Sequence, residues 1–250
     1  MKAIIPAAGH GTRFLPVTRV IPKEMLPIGA KPALELIVEE AKSAGADEIV
    51  LVISRGKELI REYFKDDPAI RFVYQHEQKG LGHAVLQAAE ACSDVGDGNV
   101  LVLLGDALVA GCNAAKEMAA VSAANGGASV IGLERVPPEK VSRYGIVKPA
   151  GQSDDRTVSI ADLVEKPKPE EAPSDLAIAG RYLLNVRIFD FLRDQAAGVG
   201  GEIQLTDAIR RMTRSGRSNG VFGYVYPGKR QDIGNPQGYL DALLAMRAAS

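Results

Sequence analysis

Met1 to Pro27, MKAIIPAAGHGTRFLPVTRVIPKEMLP, is the stretch from which the fold is read. Ala3, Ile4 and Ile5 form an apolar run that suits a buried strand. Pro6-Ala7-Ala8-Gly9-His10-Gly11-Thr12-Arg13 then breaks the strand with small residues. Gly9 and Gly11 let the backbone turn where a side chain would clash, and they let backbone N–H groups approach an anion. Arg13 adds a planar cation suited to phosphate oxygens. Lys23 follows in a Pro-rich segment that cannot form a long helix. Together these residues predict a strand followed by a loop that holds a polyphosphate. Two other phosphate motifs are absent: no GxxxxGK(S/T) occurs, and Phe14 stands where the dinucleotide fingerprint needs its third glycine. A glycine-rich turn packed on a sheet would give the same Gly-x-Gly, but the flanking Arg13 and Lys23 favour the phosphate.

Outward from that loop, strand and helix patterns alternate. Leu34, Ile37, Val38 and Ala41 repeat at helical spacing, and Gly45 is placed to end that helix. Glu48 to Ile53, Ile70 to Tyr74, Val100 to Leu104 and Ala128 to Leu133 read as strands; Lys57 to Phe64, Gly80 to Ala91 and Lys116 to Ala124 read as the helices between them. Such alternation predicts an α/β fold with a doubly wound, mostly parallel sheet covered by helices on both faces. Ligands of such sheets sit beyond the carboxyl ends of the strands. After Val136-Pro137-Pro138 the rhythm changes to strands joined by polar loops, at Ile146 to Lys148, Val158 to Val164 and Ala177 to Leu184. Helices return at Ile188 to Arg193 and Gln204 to Thr213, then a strand at Val221 to Val225 and a closing helix from Tyr239. This second part is expected to form a β-rich lobe for a second substrate.

The chain has 250 residues, enough for one large-cored domain or one domain with an added lobe. Its net charge of −1 gives no general nucleic-acid or membrane surface. Cys92 and Cys112 have no metal spacing and form no disulfide framework. With no apolar leader after Met1-Lys2, this predicts a reduced, cytoplasmic setting.

Two acids stand out. Asp106 follows an apolar strand, and Asp232 lies in Gln231-Asp232-Ile233-Gly234-Asn235. Either could cap the next element or point into a site. Gln75 and Gly80 fall in YQHEQKGLGHAV, where a surface amide and an N-capping glycine would be unremarkable. Glu165 and Lys166 precede Pro167, where a surface ion pair is the plainer reading.

The motif AAGxGTR…PKEMLP resembles the nucleotide-binding opening of the sugar-1-phosphate nucleotidylyltransferases, and its KEMLP form resembles their bacterial UTP–glucose-1-phosphate uridylyltransferase branch. The likeness covers essentially the whole chain, through KGLGHAV, VEKPKP, APSDLAIAGRYLL, GEIQLTDAI and DIGNPQGY. It implies a Rossmann-like nucleotide-binding core over 1–134, with a sugar-binding lobe and closing elements over 135–250 of a single domain. It also implies uridylyl transfer from UTP to glucose 1-phosphate. By resemblance, Ala7, Ala8, Gly9, Gly11, Thr12, Gln75, Gly80 and Asp106 bind the nucleotide, and Arg13, Lys23 and Lys166 act in catalysis. Glu165 takes the sugar hydroxyls, Gly145 and Gly180 lie against the sugar, and Asp106 with Asp232 holds Mg²⁺. Two carboxylates suffice for magnesium, which keeps several waters. An amide that donates and accepts at once suits the imide edge of uracil or thymine. A thymidylyl-transferring relative and a non-catalytic nucleotide-sugar-binding protein stay open as alternatives. The chain departs from the uridylyltransferase branch between Phe64 and Ile70, where only Lys65 to Ala69 stand in place of a long helical segment. A homo-oligomer therefore stays open, without contacts from that segment. Asp207 and Glu202 are expected to serve structure, and His10 and His83 polar packing.

Overall fold

A computed structural model describes residues 1–152, 154–216 and 220–249. The opening apolar run is strand β1 (Lys2–Pro6), with Ala3, Ile4 and Ile5 fully buried. The glycine loop and three short 3-10 turns follow, then the two-residue strands β2 (Pro27–Ile28) and β3 (Lys31–Pro32). Helix α1 (Ala33–Ser43) buries the Leu34, Ile37, Val38 and Ala41 face that its spacing predicts, and Gly45 follows its end at φ 93°. Next come β4 (Glu48–Ile53), α2 (Glu58–Phe64), β5 (Ile70–Tyr74), α3 (Leu81–Gln87) and β6 (Asn99–Leu103). After β7 (Ala107–Ala110) the chain continues through α4 (Ala114–Ala124), β8 (Ser129–Arg135), β9 (Gly145–Gln152), β10 (Thr157–Glu165) and β11 (Leu176–Asn185). It closes with α5 (Ile188–Arg193), α6 (Leu205–Ser215), β12 (Val221–Val225), β13 (Lys229–Asp232) and α7 (Pro236–Ala249).

Nine strands form one sheet in the order β5-β4-β1-β6-β11-β8-β12-β10-β9. The first four are parallel, as helical crossovers require. β11 runs antiparallel to both β6 and β8, and β12 lies parallel to β8. The β9–β10 hairpin extends the far edge, and β9 bends back to pair Ile146 with Ala177 of β11. Strands from both halves of the chain thus share one sheet. An apolar core fills each face, one beneath α1, α4 and α7, the other beneath α3, α5 and α6. The β7–β13 pair stands outside the main sheet and was not predicted, because four-residue strands carry too few alternations to read. Its register places Asp232 opposite Ala107, next to Asp106. Among the described residues no helix is long and apolar enough to cross a membrane, and both cysteines are free.

Candidate active site

A cleft of about 300 Å³ opens beyond the carboxyl ends of β1, β5 and β6. Ala8, Gly9, Lys23, Gln75, Gly80 and Asp106 line it, with Pro6, Glu24, Gln78, Leu104 and Glu202. Ala7 lies buried beneath the loop, its N–H donating to the Val52 carbonyl at 2.8 Å. Gly11 adopts the left-handed conformation at φ 65° and starts the 3-10 turn Thr12–Phe14. Its carbonyl accepts the Thr18 hydroxyl at 2.9 Å. Thr12 and Arg13 are exposed on this turn and do not line the cleft, although the Arg13 charge is felt at both Lys23 and Asp106.

Lys23 reaches across the cleft, its Nζ 2.5 Å from Asp106 Oδ2. Burial lowers the Lys23 ammonium, but Asp106 and Glu24 raise it more, so its pKa lies above the ordinary lysine value. Burial likewise raises the Asp106 carboxyl, and Lys23 more than offsets this, holding it below the usual carboxylate range. Asp232, at the end of β13, is paired with Ala107 and so stands beside Asp106 at the edge of the cleft lining rather than in it. A Cβ on Gly234 would stand 2.9 Å from Asp232 Oδ1 and 3.0 Å from Asp106 Oδ2, so both carboxylates lie against this glycine and close to each other. No group of three or more His, Cys, Asp or Glu able to hold a metal occurs among the described residues. Two carboxylates brought this close together fit a hard cation that keeps waters, such as magnesium.

At the other end, Gln75 is buried rather than on the surface, because it directly continues β5: its N–H donates to the Ile53 carbonyl at 2.8 Å. Its Nε2 lies 3.3 Å from the Gly80 carbonyl and 3.0 Å from Nδ1 of His83. His83 therefore packs, as expected, but also orients this amide. Gly80 N-caps α3 at φ 95°, and a Cβ there would meet Glu202 Cβ at 2.6 Å and Ile203 O at 3.1 Å. Glu202, expected to be structural, lines the cleft because Ile203 is held on both sides, its N–H to Lys79 O and its carbonyl to Gly82 N–H, each at 2.8 Å. Asp207 sits in the first turn of α6, where burial raises its carboxyl.

Gly145, Glu165 and Lys166 form a second group. The β9–β10 register sets Gly145 against Glu165, and a Cβ on Gly145 would stand 3.1 Å from Glu165 Oε2 and 2.9 Å from Thr206 Oγ1. Lys166 adopts φ 46°, the one positive φ outside glycine among the described residues, so the chain turns there before Pro167. Its Nζ rests 3.4 Å from Glu165 Oε1. Gly180, at an irregularity in β11, bridges the two groups: its carbonyl accepts the Leu104 N–H at 3.0 Å, and Leu104 lines the cleft.

Three residues had no visible signal in the sequence. Arg181 is fully buried and donates to the Glu40 carboxylate and the Ala107 carbonyl, each at 2.7 Å from Nη2. Arg230 lies over the Tyr144 ring at 4.4 Å and pairs with Glu134 at 2.6 Å. Lys57 lies buried under the glycine loop, its Nζ on the Ala7 carbonyl.

The family model described as nucleotidyl transferase matches residues 2–248. The chain is 42% identical over 264 residues to UTP–glucose-1-phosphate uridylyltransferase 2 of Staphylococcus saprophyticus, covering 96% of this chain and 89% of that protein. It is 40% identical over 268 residues to the UTP–glucose-1-phosphate uridylyltransferase of Bacillus subtilis, covering 97% and 89%. Among solved structures, a UDP-glucose pyrophosphorylase complexed with UDP-glucose superposes with a TM-score of 0.89 at 35% identity, covering 100% of this chain and 99% of that one. The UTP-bound enzyme of Acinetobacter baumannii superposes with a TM-score of 0.84 at 34% identity, covering 100% and 94%. This chain is therefore a member of the nucleotidyl transferase family, and within it stands with the UTP–glucose-1-phosphate uridylyltransferases.

Proposed function

We propose that the chain transfers the uridylyl group of UTP to α-D-glucose 1-phosphate, releasing pyrophosphate and UDP-glucose. The observation that carries the assignment to these residues is one cleft with a glycine loop, Lys23 and Asp106 at one end, Asp232 beside them, and the Gln75 amide at the other. In this reading a phosphate oxygen of the sugar phosphate attacks the α-phosphorus of UTP in line. The new O–P bond forms as the bond to the β-phosphate oxygen breaks, and pyrophosphate departs with that electron pair. The nucleophile is already an anion at neutral pH, so no general base is needed. Catalysis rests on positioning and on neutralising charge.

Lys23 and Arg13 take the triphosphate oxygens, the loop N–H groups of Ala8 to Thr12 cradle them, and Ala7 supports the loop from beneath. Gln75 and Gly80 receive the base edge. Glu165 accepts from sugar hydroxyls, Lys166 takes the sugar phosphate, and the Gly145 and Gly180 backbones leave room for the ring. Members of this family use a divalent metal; here Asp106 and Asp232 would hold it as Mg²⁺. When bound, the ion supplies charge neutralisation at the phosphate oxygens. A cytoplasmic setting, where nucleotide triphosphates and free thiols such as Cys92 and Cys112 both occur, fits this activity.

The test is pyrophosphate release by the purified protein over a panel of UTP, dTTP, CTP, ATP and GTP with several sugar 1-phosphates. UTP with glucose 1-phosphate is expected to be the best pair. Some dTTP use is expected, since a methyl in an apolar pocket discriminates by only about 1–3 kcal/mol. Efficient CTP use would contradict the role of Gln75.

A further inference from the structure

The phosphate loop runs from Ala7 to Glu24, and little of it is anchored by packing. Leu15, Val17 and Val20 are 52%, 48% and 75% exposed, and within the span 9–22 the buried residues are Phe14 and Pro22. Its two ends, in contrast, meet at one atom. Lys57, from the turn before α2, is buried and lies outside the cleft. Its Nζ stands 2.6 Å from the Ala7 carbonyl oxygen and 2.8 Å from each oxygen of the Glu24 carboxylate. An ammonium has three N–H donors, and here three acceptors are within reach. Ala7 opens the loop, and Glu24 closes it directly beside Lys23, whose ammonium holds Asp106.

We propose that Lys57 is a positioning residue for the transfer: by gripping both ends of the phosphate loop it fixes where the loop N–H groups and Lys23 stand relative to Asp106. This rests on reading the cleft as the UTP site. The pair is poorly explained as a device for stability. Burial pushes the Glu24 carboxyl up and the Lys57 ammonium down, each toward its neutral form. Replacing such buried pairs by neutral groups is often neutral or stabilising, whereas removing one partner is costly.

The experiment compares wild type, Lys57→Met, Glu24→Gln and the double variant by pyrophosphate release and by thermal melting. Lys57→Met should lower kcat/KM for UTP about a hundredfold, the scale of a misplaced reactive group, with KM for glucose 1-phosphate unchanged. The double variant should regain the melting temperature lost by Lys57→Met but not kcat/KM. Recovery of both in the double variant, or full kcat/KM in Lys57→Met, overturns the proposal, as does failure of both Lys57 variants to fold, which would assign Lys57 to stability. Absence of turnover in wild type would instead overturn the functional reading, and this inference with it.

Discussion

Lys23 occupies, at 2.5 Å, the same Asp106 oxygen that lies toward Gly234 and Asp232. A cation bound between the two acids must therefore compete with that ammonium. Lys23→Met is expected to bind Mn²⁺ without nucleotide about tenfold more tightly, the weight of one neighbouring charge, while turnover falls. A spectroscopic Mn²⁺ titration checks this, and unchanged affinity would mean that Lys23 does not compete. Asp232→Asn should cut turnover about 10²- to 10³-fold with the fold intact, since an amide oxygen can still accept the Gly234 N–H that Asp232 accepts at 2.9 Å. Steady-state kinetics with a melting curve separate the two effects. In the proposed reading, Glu165 accepts from sugar hydroxyls and Lys166 takes the sugar phosphate, a division set by their charge. Glu165→Gln should change the ratio of glucose to galactose 1-phosphate, at a cost of about 1–3 kcal/mol. Lys166→Ala should weaken all sugar 1-phosphates alike, because each carries the same phosphate. The reverse pattern in the two specificity profiles would exchange the roles.

Among the elements, the start of α3 and the turn before α6 together close the Gln75 end of the cleft. Gly80→Ala puts a Cβ 2.6 Å from Glu202 Cβ and 3.1 Å from a backbone oxygen, at φ 95°. The Glu202–Ile203 segment must then shift, so kcat/KM for UTP should fall more than that for glucose 1-phosphate. Arg181 links three elements: it stands on β11, pairs with Glu40 of α1 and holds the Ala107 carbonyl that opens β7. Arg181→Met would leave the Glu40 carboxylate nearly buried and unpaired, a loss of about 3–5 kcal/mol in urea unfolding. The glycines and acids of these elements could be seen in the sequence. Their partners could not, because Glu40 and Arg181 are 141 residues apart and meet only once the sheet has formed.

For the whole molecule, Asp162 joins the far edge of the sheet to α6, taking Arg210 at 2.8 Å and Arg214 at 2.7 Å. The Arg210 hydrogen bond, opposed by slight burial and joined by Arg214, holds the Asp162 carboxyl far below the usual carboxylate range. A depressed carboxylate contributes stability that is fully present above its unfolded pKa, near 3.9, and is lost as pH falls through the lower folded value. Asp162→Asn should thus cost about 1 kcal/mol at pH 7, after discounting for solvent around the arginines, and the difference from wild type should shrink below about pH 3. Denaturant unfolding across that range checks both sign and window.

The sequence alone determined the alternating strands and helices, the glycine loop after β1 and the acids that follow strands, because these are local patterns of period, glycine and charge. It carried the family as well, through motifs spread along the whole chain. The tertiary structure decided what no local pattern encodes. Pairing of β7 with β13 brings Asp232, from near the end of the chain, beside Asp106. The return of β9 onto β11 brings Gly145 and its partner Glu165 toward the strand that carries Gly180, which in turn touches Leu104. Lys57 meets Glu24 and Ala7 only because β4 lies next to β1, so that the turn after one strand passes under the loop after the other. Such contacts depend on strand order and register, which are properties of the assembled sheet rather than of any segment in it.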